Sequence, residues 1–243
     1  MTDKSKTIAL VTGASDGIGK EVARQLATKG IHVLLGSRSL EKGQGVVDEF
    51  KQKGLEVELL QLDISDDSSV ENAVAQVNHR HGRLDILVNN AGIFFDKCPL
   101  TELPVEDLAA TFNTNVVGTF RVTRSFLPLL RKSEHARIVN VSSGLGSLQH
   151  MTDENSPYYQ VVMPSYASSK AALNVLTVYL ARELKDSGIK VNSVCPGMTA
   201  TRYVDSPFAH PVEVGAEIPV RYALIDDDGP TGGFFDRNGP HKW

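Results

Sequence analysis

The 243-residue sequence predicts a single α/β domain, in which helices cover both faces of a doubly wound parallel β-sheet. Three observations support this fold class. Short apolar segments alternate with longer helix-forming segments between Thr7 and Val88, a glycine-rich turn joins the first such pair, and the composition is ordinary for one domain. With 41% hydrophobic and 22% charged residues, the chain can bury a sizeable core.

The alternating segments define the order of the elements. The predicted strands are residues 7–12, 31–35, 57–62 and 84–88, and the predicted helices are residues 20–29, 41–53 and 66–80. Strands separated by a helix pair in parallel, because the chain returns to the same end of the sheet before each new strand begins. The pattern predicts a Rossmann-type sheet, with residues 1–243 forming one domain.

The turn after the first strand contains Gly13, Gly17 and Gly19 and leads directly into a helix. Glycine lets the backbone turn sharply and approach a diphosphate, whose charge is met by free N–H groups at the helix N-terminus. The usual dinucleotide fingerprint has one residue between its first two glycines, whereas three separate Gly13 from Gly17. The turn still predicts a dinucleotide site, because it joins a strand to a helix.

Tyr166 and Lys170 lie four residues apart in a segment that favours a helix, so their side chains share one face. A free tyrosine has a pKa near ~10 and exchanges protons poorly at neutral pH. The Lys170 ammonium can lower the pKa of Tyr166 by stabilising its phenolate, so that Tyr166 serves as a general acid or base. One lysine would not bring the pKa to about 7 unaided, and a second positive charge such as an oxidised nicotinamide ring would help. The alternative is an ordinary aromatic and lysine pair on an amphipathic helix.

Together with further segments, these residues resemble the short-chain dehydrogenase/reductase family over nearly the whole chain. The matching segments are Thr12 with the three glycines, Asp63-Ile64, Asn89-Asn90-Ala91-Gly92, Asn113-Thr114-Asn115, Val141-Ser142-Ser143, Tyr166 with Lys170, and Pro196-Gly197-Met198-Thr199. Residues 215–220 and the terminal Trp243 resemble the carbonyl-reductase branch of that family.

The resemblance implies a catalytic tetrad of Asn115, Ser143, Tyr166 and Lys170. Tyr166 would give a proton to the substrate oxygen while Ser143 holds that oxygen, and Ser142 stays open as the alternative serine. Lys170 would also hold the nicotinamide ribose, and Asn115 would support a water chain that returns protons to Lys170. The expected cofactor contacts are Gly13, Ser15, Asp16, Gly17, Ile18, Gly19, Ser37, Arg38, Asp63, Ile64, Asn89, Ala91, Gly92, Tyr166, Lys170, Pro196, Gly197, Thr199 and Thr201.

The end of the second strand indicates which dinucleotide is bound. NAD-preferring relatives place an acid there, whereas this chain has Ser37 followed by Arg38. Ser37 could donate a hydrogen bond to a 2′-phosphate and Arg38 could form charge-assisted bonds with it, so NADPH/NADP⁺ is the expected cofactor. Two observations leave alternatives open: Asp16 occupies a position that is often basic in NADPH-preferring relatives, and Arg38 could stack on adenine without discrimination.

Two segments are expected to shape the substrate pocket. Residues 144–165 separate Ser143 from Tyr166 by more chain than in many relatives, and residues 202–219 show no helical periodicity before Ala216, which predicts a mobile lid. The alternative for residues 144–165 is an excursion over the surface. The candidate pocket residues are Met151, Tyr158, Tyr159, Val162, Met163, Tyr203 and Phe208. They favour a hydrophobic or aromatic carbonyl compound, although Arg202 could supply a cation.

The expected function is the reversible, NADPH-dependent reduction of an aldehyde or ketone. The alternatives are NAD-dependent oxidation of a secondary alcohol and a non-catalytic NADP(H) sensor. A net charge of -4 argues against nucleic acid as a partner, and no apolar run approaches the ~18 residues of a membrane span. Residues 1–6 contain no hydrophobic leader region, so a cytoplasmic protein is expected.

The remaining sequence features predict no further chemistry. Cys98 and Cys195 are expected to be free thiols, because their spacing fits neither a disulfide framework nor a metal site. His79 and His81 lie near a predicted helix end, where solvated histidines are favourable, and no metal is expected there. The sequence leaves the choice between a monomer and a homo-oligomer open.

Overall fold

The structure is a computed structural model that describes residues 6–96 and 98–243. Residues 1–5, on which the expectation of no leader region largely rests, lie outside the described residues, as does Lys97. None of the described helices combines the length and apolarity that crossing a membrane requires.

Within the described residues, eight strands form one sheet in the order β3-β2-β1-β4-β5-β6-β7-β8. All neighbouring strands pair in parallel except β7 and β8, which are antiparallel. The strands are β1 Ile8–Val11, β2 His32–Ser37, β3 Val57–Gln61, β4 Ile86–Asn89, β5 Arg137–Val141, β6 Lys190–Val194, β7 Phe234–Asp236 and β8 Gly239–Pro240. The strand order reverses between β1 and β4, and a crevice forms at the carboxyl ends of strands at such a point.

Helices cover both faces of this sheet, as the sequence predicts. The helices are α1 Gly17–Thr28, α2 Leu40–Gln52, α3 Asp67–Arg80, α4 Val105–Phe112, α5 Thr119–Leu130, α6 Leu148–Thr152, α7 Pro164–Glu183 and α8 Val212–Ala223. Buried residues of α1, α2 and α8 form the apolar core on one face. Those of α3, α5 and α7 form a second core on the other face. The doubly wound fold class is therefore confirmed.

The predicted elements between Thr7 and Val88 are all present, with ends that differ by up to three residues. Helix α1 begins at Gly17, earlier than expected, because the Asp16 side chain accepts a hydrogen bond from the Gly17 N–H and caps the helix.

The prediction for residues 202–219 is wrong in part. Helix α8 already begins at Val212, because Pro211 occupies the position before its first turn, and Pro219 is tolerated inside the helix. Only residues 202–211 of the expected lid lack a helix.

Candidate active site

The helix α7 carries Tyr166 and Lys170 on one face, beside the carboxyl end of β5. The Lys170 Nζ lies 5.4 Å from the centroid of the Tyr166 ring. The same Nζ donates a 2.7 Å hydrogen bond to the backbone carbonyl of Val141, the last residue of β5. The strand end therefore fixes the lysine, and the helix fixes the tyrosine beside it.

Asp96 holds the first turn of this helix. Its Oδ1 accepts a hydrogen bond from the Ser165 N–H at 2.7 Å. Its Oδ2 accepts from the Ser165 hydroxyl at 2.8 Å and from the Tyr166 N–H at 3.0 Å. A carboxylate at a helix N-terminus satisfies unpaired N–H groups and interacts favourably with the helix dipole. Asp96 cannot be recognised as a cap from local sequence, because the helix that it caps begins far along the chain.

The two neighbouring serines after β5 differ in where their side chains point. Ser142 is buried, and its Oγ lies 3.5 Å from the backbone carbonyl of Lys170 in the helix. Ser143 is partly exposed; its Oγ accepts from the Leu145 N–H at 3.2 Å, and its side chain is hydrogen-bonded to Tyr166. The geometry therefore pairs Ser143, rather than Ser142, with the tyrosine.

The pKa of Tyr166 is raised above its ordinary value, chiefly because the phenol is buried and to a smaller extent because the Cys195 thiol is near. The hydrogen bond with Ser143 acts in the opposite direction. In the protein alone the pKa of Tyr166 is therefore raised and not lowered, because burial outweighs the other causes. Burial also lowers the pKa of Lys170 to about 8. Tyr166 is thus a neutral phenol at neutral pH.

Asn115 lies in a π-helical turn, Asn113–Gly118, between α4 and α5. Its Oδ1 accepts from the Ile93 N–H at 2.8 Å, and its Nδ2 donates to the Ile93 carbonyl at 2.8 Å and to the Ser169 Oγ at 3.0 Å. Such turns interrupt helices most often at functional sites. The side-chain amide of Asn115 therefore connects the loop after β4 to α7. Its oxygen and its nitrogen are both hydrogen-bonded within the protein.

The glycine turn requires glycine at two positions, because the φ angles of Gly13 and Gly17 are 63° and 54°. The Thr12 Oγ1 accepts from the N–H groups of Asn90 and Ala91, both at 3.0 Å. The Asn90 Nδ2 donates to the carbonyls of Thr12 and Gly13 at 3.0 and 3.2 Å. The Asn-Asn-Ala-Gly segment therefore fixes the turn, which exposes the N-terminus of α1.

Ser37 and Arg38, the two residues expected to contact a 2′-phosphate at the end of β2, differ in burial. Ser37 is buried, and its hydroxyl donates to the Ser39 carbonyl at 2.8 Å. In this conformation the Ser37 hydroxyl is used inside the loop, so the predicted donation to a phosphate would require the hydroxyl to turn. Arg38 is exposed, so the charge that could meet a phosphate is the guanidinium of Arg38.

Several other expected cofactor contacts have side chains that serve the fold. The Asn89 Nδ2 donates to Thr123 and Asn140 inside the core, and Asp63 accepts from the backbone and hydroxyl of Ser65. The Ile64 side chain is buried. If these residues contact a cofactor, Asn89 and Ile64 do so through their backbone.

The segment after β6 forms a bend beside the glycine turn. The Thr199 hydroxyl is buried and donates to the carbonyls of Pro196 and Gly197, both at 3.3 Å. Arg202, which the sequence left open as a pocket cation, instead pairs with Asp16 at 3.4 Å, and both side chains are half exposed. The segment that carries Thr199 therefore lies against the glycine turn.

The candidate pocket residues fall into two groups. Tyr158 lies over Gly144, where a Cβ would come within 2.2 Å of its Cζ, and its OH lies 4.0 Å from the Cys195 Sγ. Tyr203 packs on Phe94 with ring centroids 5.4 Å apart, and Phe94 packs edge-on against Tyr166 at 5.6 Å. Phe94 was missed, because nothing in its local sequence separates it from an ordinary loop aromatic.

The other candidates differ in exposure. Met151 and Met163 are partly buried, whereas Tyr159, Val162 and Phe208 are exposed, Phe208 by 87%. Their high exposure means that Val162 and Phe208 do not pack into a closed pocket wall in this structure.

The C-terminal tail packs against residues 144–165. The Gln149 N–H donates to the Trp243 carbonyl at 3.1 Å. The His150 ring lies 5.4 Å from the Tyr158 ring and 4.7 Å from the His241 ring, measured between centroids. Tyr158, His150 and His241 therefore form one aromatic cluster, to which the C-terminal tail contributes His241.

Comparisons with known proteins identify the family of this chain. A family model described as short chain dehydrogenase matches residues 7–211. The chain is 35% identical to short-chain dehydrogenase/reductase ATR10 of Stachybotrys chlorohalonatus, with 97% of this chain and 90% of that protein covered. It is also 35% identical to (+)-neomenthol dehydrogenase of Arabidopsis thaliana, with 98% of each covered.

A solved structure gives the same result for the fold. The NADPH complex of a variant actinorhodin polyketide ketoreductase matches with a TM-score of 0.85 at 28% identity, over 98% of this chain and 97% of that one. The family model covers most of the chain, and the relatives cover nearly all of it. This chain belongs to the short-chain dehydrogenase/reductase family of oxidoreductases.

Proposed function

We propose that this protein reversibly reduces an aldehyde or ketone with NADPH, and that Tyr166 supplies the proton. The observation that carries the proposal is the convergence of Tyr166, Ser143 and Lys170 at the carboxyl end of β5. A buried phenol, a hydroxyl bonded to it and a buried ammonium are the groups that polarise and protonate a carbonyl oxygen.

The residues present fit a dinucleotide. Gly13 and Gly17 keep side chains away from the mouth of the turn. Asp16 caps the Gly17 N–H, and the following N–H groups of the first turn of α1 have no acceptors inside the helix. A diphosphate would lie on that helix end, and the exposed Arg38 would bind a 2′-phosphate. When bound, NADPH supplies the hydride that the carbonyl carbon receives.

The chain's own residues handle the proton. Because burial raises its pKa, Tyr166 carries its proton at neutral pH and can donate it to the substrate oxygen. Ser143 orients that oxygen through a hydrogen bond. Lys170, whose pKa is lowered to about 8, contributes positive charge that favours the phenolate left after donation. Asp96 holds the first turn of α7, and Asn115 holds Ser169, the residue before Lys170.

We propose that the substrate is hydrophobic or aromatic. Phe94 packs against Tyr166 and Tyr203 packs against Phe94, while Tyr158 lies over Gly144, the residue after Ser143. Residues 144–165 and 202–211 would form the pocket walls. An apolar border disfavours an anionic substrate, since a buried anion needs a paired cation. The names of the neomenthol dehydrogenase and polyketide ketoreductase relatives are consistent with apolar compounds of this kind.

The deciding experiment is a panel of an aromatic ketone, an aliphatic aldehyde and a sugar phosphate, each assayed with NADPH and with NADH. The proposal expects the highest kcat/KM for the aromatic ketone with NADPH. Turnover confined to NAD⁺ and a secondary alcohol would establish the oxidative alternative. Tight NADPH binding without turnover of any carbonyl compound would favour a sensor.

A further inference from the structure

A group of metal-ligating side chains lies near the amino-terminal ends of β2 and β3, whereas Tyr166 lies beside the carboxyl end of β5. His32 begins β2, Glu58 lies on the neighbouring strand β3, and His81 follows the last residue of α3. One ligand atom from each lies within 4.8 Å of the others. We propose that His32, Glu58 and His81 form a binding site for a divalent transition metal ion, with Zn²⁺ the ion that fits best.

The distances between the ligand atoms support a metal site. The Nε2 atoms of His32 and His81 lie 3.4 and 3.2 Å from the same oxygen, Oε2 of Glu58. Zinc bonds of about 2.0–2.2 Å in a tetrahedral site separate neighbouring ligand atoms by about 3.3–3.5 Å. Charge-assisted hydrogen bonds are shorter, about 2.7–2.9 Å. The two Nε2–Oε2 distances are therefore closer to the separation of two ligand atoms on one zinc ion than to the length of a strong ion pair.

The surroundings leave that oxygen directed at the two histidines. Arg80 bonds the other carboxylate oxygen, Oε1, which orients Glu58 and competes with a metal only for that atom. One carboxylate oxygen and two imidazole nitrogens are therefore left as the ligand atoms of the site.

The ligand set also indicates the type of ion. Two imidazole nitrogens and one carboxylate oxygen suit Zn²⁺, whereas Mg²⁺ and Ca²⁺ prefer oxygen ligands. The His32 and Glu58 side chains are each 25% exposed and that of His81 is 13% exposed, so water can reach a fourth coordination position. A bound ion would connect the end of α3 to β2 and β3. Local sequence suggests only His79 with His81, because His32 and Glu58 are brought together by the pairing of β2 with β3.

The test uses the full chain without an affinity tag, titrated with ZnSO₄ against a chromophoric chelator at pH 7.5. The proposal expects one equivalent to bind with a Kd in the micromolar range or below, and Zn²⁺ to raise Tm. His32→Gln, His81→Gln and Glu58→Gln should each weaken binding at least tenfold. His79→Gln on the same helix and Cys98→Ser should bind as the wild type does.

Urea unfolding of each variant without metal separates a lost ligand from a lost fold. If His32→Gln or His81→Gln lowers metal-free stability, Glu58→Gln still tests the site. Absence of saturable binding, or equal binding by the wild type and all three ligand variants, would overturn the proposal.

Discussion

The Asp96 carboxylate accepts a hydrogen bond from the backbone N–H of Tyr166 at 3.0 Å. A loop residue that follows β4 therefore fixes the first turn of the helix that carries the candidate acid. Both Asp96 oxygens are used, because Ser165 donates through its N–H and its hydroxyl. The position of the phenol depends on this cap, since Tyr166 lies within the first turn of α7.

Replacing Asp96 with alanine should lower kcat at least tenfold while leaving the NADPH dissociation constant within about threefold, because a small displacement of a catalytic group is costly. Asp96→Asn keeps an acceptor oxygen and should recover part of the rate. Both are compared with Asp66→Ala, which removes the side chain that caps α3 through the Ser69 N–H. Each alanine should cost about 0.5–2 kcal/mol of stability. If the Asp96 and Asp66 variants lose kcat equally, Asp96 does not position Tyr166.

Tyr166→Phe should reduce carbonyl turnover by ~10²–10⁴-fold, because it removes the phenolic hydroxyl that carries the transferable proton and leaves the ring in place. NADPH binding, measured by fluorescence titration, should stay nearly unchanged. Tyr179→Phe on the exposed part of the same helix provides the control. Retention of more than about a tenth of the wild-type rate would show that Tyr166 is not the acid.

The wild type should prefer NADPH over NADH by at least tenfold in kcat/KM, and Arg38→Ala should lose most of that preference. A charge-assisted hydrogen bond contributes roughly 1.5–3 kcal/mol, which corresponds to a ~10–100-fold effect. Because Ser37 is buried and bonded to Ser39, Ser37→Ala should change the preference far less. Equal use of both cofactors by the wild type would contradict the assignment of Arg38.

Lys170 should make stability depend on pH. Its pKa is about 8 in the folded chain and about 10.5 when unfolded, so the unfolded chain binds more protons between these values. The free energy of unfolding should therefore rise with pH from about 8 to 10.5, by up to about 3 kcal/mol. Urea titrations of the wild type and Lys170→Met at pH 7 and 9.5 measure this. Lys170→Met should show a smaller rise in the free energy of unfolding between these two pH values. If both proteins show the same pH dependence, burial does not lower the pKa of Lys170.

Substrate ranking should depend on Tyr158 and on the tail that supports it. Tyr158→Ala should change relative kcat/KM among hydrophobic ketones by roughly 1–3 kcal/mol. Tyr159→Ala and Met163→Ala test the same segment, and His241→Ala tests the contact of the tail with His150. If none of the four changes the ranking, residues 144–165 do not border the substrate.

Local sequence determined the order of the elements and the chemical character of the site. The alternation of apolar and helical segments, the glycine turn and the spacing of Tyr166 and Lys170 are short-range patterns, so each could be interpreted without knowing the fold. The observed sheet order and helix bounds agree with them.

Tertiary structure decided which atoms are available. Packing turned the Ser37 hydroxyl inward, and burial raised the pKa of Tyr166. The Asp96 cap and the convergence of His32 and His81 on Glu58 join residues that are far apart in sequence. Side-chain direction and burial depend on neighbours that only the folded sheet brings together, and no local pattern contains them.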